Sequence, residues 1–180
     1  MAGEVGLRVR AAVSDTGRVN VATGLPVLDH LLTLLAQHAA IDLTLEVEPG
    51  SAAAEVAAAG RALGEALAEP LRKRGSRGYG WATLPADEAL AQVVVEASGR
   101  PLVVSNADLS AVHVGGLGSD IVSDFLSELA EGAGLTLHVR LIEGDDPQHA
   151  LEAIFKALGV ALAEAIRVRP APRPRTRKES

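Results

Sequence analysis

Five histidines are the side chains of this sequence most suited to chemistry near neutral pH. Histidine titrates close to neutrality and is a common metal ligand, so it can serve as an acid, a base or a ligand. The five are His30, His38, His113, His138 and His149. The chain has no cysteine, which excludes thiolate metal sites, cysteine nucleophiles and disulfides.

Three of these histidines have companions that could complete a site. His149 precedes Glu152 by three residues, a spacing that can place both on one face of the last helix. His30 follows an aspartate on the first predicted helix, and His138 lies in a strand shortly before the last helix. Four distant segments would have to converge on one metal, so a purely structural role for each histidine is the alternative. His113 lies in the glycine-rich stretch AVHVGGLGSD and is expected on a loop surface.

Composition and motifs exclude several classes of function. The net charge is −6, and six basic side chains lie in residues 167–180. The rest of the chain is therefore strongly acidic, which argues against a nucleic-acid surface. There is no Walker loop, dinucleotide fingerprint, Gly-x-Ser-x-Gly elbow or His-Glu-x-x-His motif, and no apolar run long enough for a membrane span. The N-terminus MAGEVGLRVR lacks the apolar stretch of a signal peptide, which predicts a cytoplasmic protein.

The periodicity of apolar residues predicts alternating strands and helices. Two pairs of strands are expected, each joined by a short turn that contains glycine. They lie at 4–13 with 18–22, and at 91–97 with 101–105. Single strands are expected at 41–48 and 135–142. Helices are expected at 26–38, 52–72, 120–131 and 149–167.

The two halves of the chain resemble each other. Residues 17–18 match 99–100, residues 41–45 match 135–139, and residues 62–67 match 157–162. This repeat predicts an α+β fold, an internally duplicated domain of two β-sheet plus helix-pair repeats. The repeats are expected at 4–74 and 79–167, followed by a basic tail at 168–180. The helices of the two repeats could pack together, or sheet could pack on sheet. The tail could bind anions or be a solvated end.

Several stretches resemble one enzyme family in order and spacing. They are TGLPVLDHLL at 23–32, PADEAL at 85–90, SGRP at 98–101, AGLTLHVRL at 133–141 and EAIFKAL at 152–158. The family is imidazoleglycerol-phosphate dehydratase, the lyase of histidine biosynthesis. The resemblance implies a duplicated fold, ribosomal-protein-S5-domain-2-like, and a manganese cofactor. It also implies a homo-oligomer in which trimers build a twenty-four-subunit cage, with active sites between subunits that act on a small phosphorylated imidazole.

The resemblance implies a set of metal ligands of which the sequence retains part. The family's leucine-Asp-His motif corresponds to His30, and its strand histidine corresponds to His138. A His-His-x-x-Glu motif opens the last helix of each repeat in the family. In the second repeat of this chain the motif retains His149 and Glu152, while Gln148 replaces the first histidine.

In the first repeat the same motif has lost every ligand. Its positions are occupied by Ala53, Ala54 and Ala57. The internal repeat supports this alignment independently, because Gly64 matches Gly159 at the same offset. Each ligand of a four-ligand site is worth on the order of 3 kcal/mol, so manganese occupancy is doubtful here. The nearby Glu55 is expected to point away from the alanines, and Asp145 and Asp146 are better candidates for replacement oxygens.

The resemblance also implies catalytic and phosphate-binding residues. Glu4 corresponds to a family glutamate near the substrate, and Glu152 corresponds to a ligand that is also close to the reacting carbon. Arg100 and Lys156 correspond to phosphate-contacting positions. The alternatives are an exposed strand carboxylate for Glu4 and solvated surface cations for Arg100 and Lys156. A second family arginine falls on Gly78, one residue after an arginine.

Two functions remain open at this point. The chain could be an enzyme that removes water from imidazoleglycerol phosphate with fewer or rearranged ligands. It could instead be a catalytically impaired paralogue that keeps the fold, the assembly and a phosphate site, since fold does not guarantee chemistry. Such a paralogue could also assemble with an intact copy. No nucleic-acid or membrane partner is expected.

Overall fold

Seven strands and four helices make up the part of the chain that the structure, a computed structural model, describes, namely residues 7–14, 16–106 and 119–170. In chain order the elements are β1 (Leu7–Val13), β2 (Val19–Ala22), α1 (Pro26–Ala39), β3 (Ile41–Val47), α2 (Ala52–Arg72), β4 (Tyr79–Ala86), β5 (Ala89–Glu96), β6 (Leu102–Ser105), α3 (Ser119–Ala133), β7 (Thr136–Glu143) and α4 (Pro147–Ile166). The four predicted helices are confirmed, α2 with the predicted bounds. No helix in these ranges is both long and apolar enough to cross a membrane.

The first sheet has the strand order β1-β3-β2. The two strands predicted as a pair exist, but their predicted pairing is wrong, because β3 lies between them. β1 is antiparallel to β3, and β2 is parallel to β3. The connection from β1 to β2 crosses the end of β3, where the Asp42 carboxylate accepts hydrogen bonds from the Thr16 hydroxyl (2.9 Å) and the Arg18 amide (2.8 Å). These bonds attach the connection to the start of β3.

The second sheet repeats this arrangement and adds an edge strand. Its order is β4-β5-β7-β6, so β7 separates β5 from β6 as β3 separates β1 from β2. The predicted pairing of 91–97 with 101–105 is therefore also wrong. Strand β4 is absent from the sequence-based prediction. Its sequence YGWATLPA contains a glycine and a proline, and proline is accommodated there because β4 is an edge strand.

The helices form the centre of the molecule. α1 and α2 cover the first sheet, whereas α3 and α4 cover the second. The helices then pack across the repeats, α1 against α4 and α2 against α3. Of the two packing modes left open by the sequence, helices against helices is therefore the observed one. The buried core is continuous through these layers and centres on leucines and the paired rings of Phe125 and Phe155.

Glycines set the close approach of the helices and reveal an internal two-fold symmetry. A Cβ atom on Gly64 would lie 2.5 Å from the Leu129 carbonyl oxygen of α3. A Cβ atom on Gly159 would overlap the Leu35 carbonyl oxygen of α1 in the equivalent way. The two contacts exchange under the repeat, since Gly64 matches Gly159 and Leu35 matches Leu129. The duplicated fold is therefore confirmed at the helix interfaces.

Candidate metal and phosphate site

The start of α4 meets α1 at a small polar cluster. The Oε1 atom of Glu152 lies 3.1 Å from the Nε2 atom of His30. The side-chain amide of Gln148 donates a hydrogen bond of 3.0 Å to the same oxygen. Donation from Gln148, followed by that from His30, lowers the pKa of Glu152. The structure thus brings together two of the predicted ligands and the glutamine that replaces a third.

A cavity of about 200 Å³ opens beside this cluster. Its lining combines apolar side chains from the first turns of α1 and α4 with two polar ones. The residues are Pro26, Val27, His30, Leu31, Gln148 and Leu151. The helix starts are fixed locally. Pro26 is the first residue of α1, and Asp146 caps α4 by accepting hydrogen bonds from the amides of Gln148 (2.8 Å) and His149 (3.3 Å).

His149 faces a second cluster rather than the first. Its Nδ1 atom lies 2.6 Å from the Glu88 carboxylate, and its Nε2 atom lies 3.3 Å from the Asp87 carboxylate. Glu88 also accepts a hydrogen bond of 3.0 Å from the backbone amide of Asp146. His149 and Glu152 were predicted to lie on one face of the last helix, but their side chains contact different partners. The β4–β5 turn that carries Asp87 and Glu88 is tied to the start of α4.

Sequence reasoning did not assign a role to Asp87 or Glu88. Adjacent acids between two predicted strands are typical of a solvated turn, and nothing in their spacing pairs them with a histidine about sixty positions later. The available signal was the stretch PADEAL, which carries part of the family resemblance. The turn itself is sharp, because Asp87 has a φ of 47°, a left-handed conformation that aspartate tolerates better than most residues.

The Glu88–His149 pair predicts a pH-dependent contribution to stability. The hydrogen bond to Glu88 raises the pKa of His149 above 6.5, and the same bond lowers the pKa of Glu88 below 4.5. The histidine contribution is complete below pH 6.5 and is lost as the pH rises through the raised pKa. The carboxylate contribution is complete above pH 4.5 and is lost as the pH falls through the lowered pKa.

We therefore expect Glu88→Gln to destabilise the protein most between about pH 4.5 and 6.5. The difference from the unmodified chain should shrink toward pH 9, as the pH rises through the raised pKa of His149. Urea unfolding at pH 5.5 and pH 9 measures it, with Glu69→Gln as the control for loss of an exposed carboxylate. A pH-independent difference would show that Glu88 does not act through His149.

His138 lies away from both clusters. It occupies β7 on the face of the second sheet that is opposite the helices, between Val94 of β5 and Val104 of β6. All three side chains are exposed, and Trp81 extends the row on β4 with 58% of its surface accessible. Within one chain, His138 therefore does not join His30 and Glu152. It could reach such a cluster only on another copy.

The start of α2 carries alanine at the three positions where the resemblance predicts ligands. Ala53 and Ala54 are exposed, and Ala57 is half-buried. Glu55 is 5% exposed and accepts a hydrogen bond of 2.5 Å from the Gly50 amide. The prediction that Glu55 points away from the alanines is confirmed by this burial.

The expected replacement oxygens serve a different purpose. Asp146 caps α4, so its Oδ1 atom is already used by two backbone amides. Asp145 is exposed in the preceding turn. Neither carboxylate is seen beside the alanines of α2, which belong to the other repeat. The prediction for Asp146 is therefore corrected, because helix capping accounts for its position.

The two predicted phosphate-binding cations lie at opposite ends of the second sheet. The Lys156 ammonium donates a hydrogen bond of 2.6 Å to the Pro85 carbonyl, near the β4–β5 turn. Arg100 lies at the other end, where its carbonyl accepts from the Thr136 hydroxyl (3.1 Å). Pro85 pairs with Leu90 and Thr136 pairs with Glu96. The six residue steps from Leu90 to Glu96 along β5 span about 20 Å at the usual rise of a strand. One chain therefore does not place both cations on one phosphate.

Arg77 and the basic tail are two further groups of positive charge that the sequence analysis considered. Arg77, which precedes the position of a family arginine, forms an ion pair of 2.7 Å with Glu164 and stacks 4.4 Å from the centre of the Tyr79 ring. It is therefore engaged within the chain. The basic tail from residue 171 onward, Glu4 and His113 lie outside the described residues, so their predicted roles stay predictions.

The donors of one chain do not fit two fully ligated manganese ions. In the described ranges, no three histidine or carboxylate side chains are arranged to hold one metal. Three motif positions are alanine, and an amide such as Gln148 offers only its oxygen to a metal. His30 and Glu152 contact each other, while both ring nitrogens of His149 face carboxylates. The side chains that are present therefore do not match the ligand set that two manganese ions would need.

The sequence as a whole is similar to one family. The family model described as "Imidazoleglycerol-phosphate dehydratase" matches residues 23–162. A protein of that name from Pelobacter propionicus is 38% identical over 172 residues, which cover 93% of this chain and 88% of the relative. Another from Clostridium botulinum is 37% identical over 169 residues, 91% of this chain and 86% of the relative.

Solved structures agree in fold. The Staphylococcus aureus imidazoleglycerol-phosphate dehydratase superposes with a TM-score of 0.84 at 34% identity, covering 91% of this chain and 94% of that one. The Pyrococcus furiosus protein, solved in complex with (S)-C348, gives a TM-score of 0.81 at 28% identity, with 99% and 97% coverage. With its duplicated fold and these matches over most of its length, the chain belongs to the imidazoleglycerol-phosphate dehydratase family.

Proposed function

We propose that this chain is a family member that binds a small phosphorylated ligand within an oligomer but does not by itself sustain metal-dependent dehydration. The observation that carries the proposal is the start of α2. Three exposed or half-buried alanines occupy the ligand positions there, and the nearest carboxylate, Glu55, is turned into the protein. A Lewis acid needs ligands that hold it against water, and this end of the helical layer offers none in the described residues.

The proposed oligomer follows from the separation of the retained residues. His138 lies on an exposed sheet face, and Arg100 and Lys156 lie at opposite ends of a sheet. Contacts between copies would let these residues contribute to one ligand site. We propose a homo-oligomer of the family's trimer-based, twenty-four-subunit kind, in the cytoplasm. Assembly with an intact paralogue is a further form of the same proposal, since the partner would supply the missing ligands.

The second candidate is that the chain is itself a dehydratase. It would remove water from imidazoleglycerol phosphate to give imidazoleacetol phosphate. The contact between His30 and Glu152, and the presence of His149 one turn before, favour this candidate because they keep most of the second-repeat motif. In this case Glu152, with its lowered pKa, would be available as an ionised carboxylate near the substrate.

Turnover measured alongside manganese titration separates the two candidates. We expect the purified chain to give no product from imidazoleglycerol phosphate above background at millimolar manganese. Calorimetry should still detect binding of imidazoleglycerol phosphate. We expect Arg100→Ala to weaken this binding, and Arg74→Ala, which removes an exposed arginine just after α2, to leave it unchanged. Stoichiometric manganese binding with turnover would establish the dehydratase instead. Absence of both turnover and ligand binding would leave the chain with an assembly role alone.

A further inference from the structure

We propose that the second-repeat site of this chain is held together without a divalent cation, with Gln148 as the positioning residue that holds Glu152 against His30. The inference concerns the same residues as the proposed function but does not depend on which ligand the oligomer binds. In this proposal, the residues at the predicted ligand positions stabilise the fold by hydrogen bonds to one another.

The geometry at Glu152 supports this assignment first. Two donors meet the single oxygen Oε1, the Gln148 amide at 3.0 Å and the His30 ring at 3.1 Å. Only the NH₂ group of an amide can donate to a carboxylate, so the Gln148 oxygen must face away from Glu152. The His30 nitrogen that contacts Glu152 is likewise used as a donor. The Oε1 atom of Glu152, the Nε2 atom of His30 and the Gln148 amide therefore satisfy one another without an ion.

The neighbouring histidine is satisfied in the same way. His149 has one carboxylate at each ring nitrogen, Glu88 at 2.6 Å and Asp87 at 3.3 Å. Nδ1 is engaged by Glu88, and the other ring nitrogen, Nε2, faces the Asp87 carboxylate. Glu88 in turn accepts from the Asp146 amide. The second cluster, like the first, is thus held together by contacts between groups of the chain itself.

The two clusters link elements that are distant in sequence. The His30–Glu152 contact joins α1 to α4, which belong to different repeats, and the His149 contacts join α4 to the β4–β5 turn. Contacts between groups this far apart in the chain bring a benefit only in the folded state. The hydrogen bonds therefore cross-link the end of the helical layer where a metal would otherwise have done so.

The isosteric substitution Gln148→Glu tests the proposal. It replaces the donor to Glu152 by a second carboxylate four residues away, which repels Glu152 and creates a pair that can share a cation. We expect the unmodified chain to have the same thermal midpoint, within about 1 °C, in EDTA and in millimolar manganese. We expect Gln148→Glu to have a lower midpoint in EDTA and to be restabilised by manganese. Gln37→Glu, an exposed change of the same chemistry on α1, should show neither effect.

Two results would overturn the proposal. One is a rise of several degrees in the midpoint of the unmodified chain at stoichiometric manganese, which would mean that a metal site forms in preference to the hydrogen bonds. The other is an unchanged midpoint for Gln148→Glu in EDTA, which would mean that Gln148 does not hold Glu152. Neither measurement depends on turnover or on ligand binding. This inference can therefore be overturned while the proposed function stands, and the proposed function can be overturned while this inference stands.

Discussion

Gly159→Ala is expected to lower the free energy of unfolding by about 3 kcal/mol, the upper end of the usual cost of overpacking. The added methyl group would overlap the Leu35 carbonyl oxygen and lie within 3.1 Å of the Ala39 amide nitrogen. Both are backbone atoms of α1, so relief requires α1 and α4 to separate along a fully buried interface. The gain in helix propensity from glycine to alanine, about 1 kcal/mol, offsets only part of this.

Urea unfolding measures this loss, and two further variants show where it comes from. Gly64→Ala should cost a similar amount, because its Cβ atom would lie 2.5 Å from the equivalent carbonyl of Leu129. Gly99→Ala should cost only about 1 kcal/mol, for the strain of a left-handed residue, since Gly99 has a φ of 73° and open space around it. If Gly159→Ala is no worse than Gly99→Ala, the close helix approach is not a determinant of stability.

Placing ligands at the four positions where the resemblance predicts them and the chain lacks them is expected to give the largest functional change. In the combined variant Ala53→His, Ala54→His, Ala57→Glu and Gln148→His, manganese affinity should rise by on the order of a thousandfold or more, given about 3 kcal/mol for each ligand. Dehydration of imidazoleglycerol phosphate should appear with it. The substitutions on α2 fall at exposed or half-buried positions, so the buried core can accept them.

The matched control places side chains of similar polarity but poor affinity for metal at the same positions. It combines Ala53→Asn, Ala54→Asn and Ala57→Gln, and it should bind manganese no better than the unmodified chain. Equilibrium titration of manganese and product formation are measured on both variants. If the restored variant gains nothing over this control, the loss of these ligands is not what limits the chain, and the proposed function loses its main support.

The sequence was sufficient for the duplication and for every described element except β4, because these depend on local periodicity and on an internal comparison. The bounds of α2 and the match of Gly64 with Gly159 are examples. The pairing of strands was not predictable in this way. Two strands joined by a short turn usually pair, and only the Asp42 contacts with Thr16 and Arg18 show why the connection crosses β3 instead.

For the site, residue types were predictable and partners were not. His30 and Glu152, both predicted as metal ligands, contact each other, whereas His149 contacts Glu88. The latter contact arises because the β4–β5 turn, which follows a strand that was not predicted, lies against the start of α4. The separation of Arg100 from Lys156 likewise depends on the length of β5, because their contacts lie at its two ends. These distances follow from the fold and are not encoded in any short motif.

The packing of α1 on α4, and of α2 on α3, has an evolutionary consequence. Each repeat covers its sheet with two helices whose other sides are buried only by the helices of the other repeat, so neither half encloses a core alone. A half-length ancestor with this design would have had to pair with a second copy of itself, and every substitution would then have appeared at both ends of the dimer. A single chain that carries both repeats is free of that constraint. Its two repeats can differ, as Ala53, Ala54 and Ala57 at the start of α2 differ from His149 and Glu152 at the start of α4.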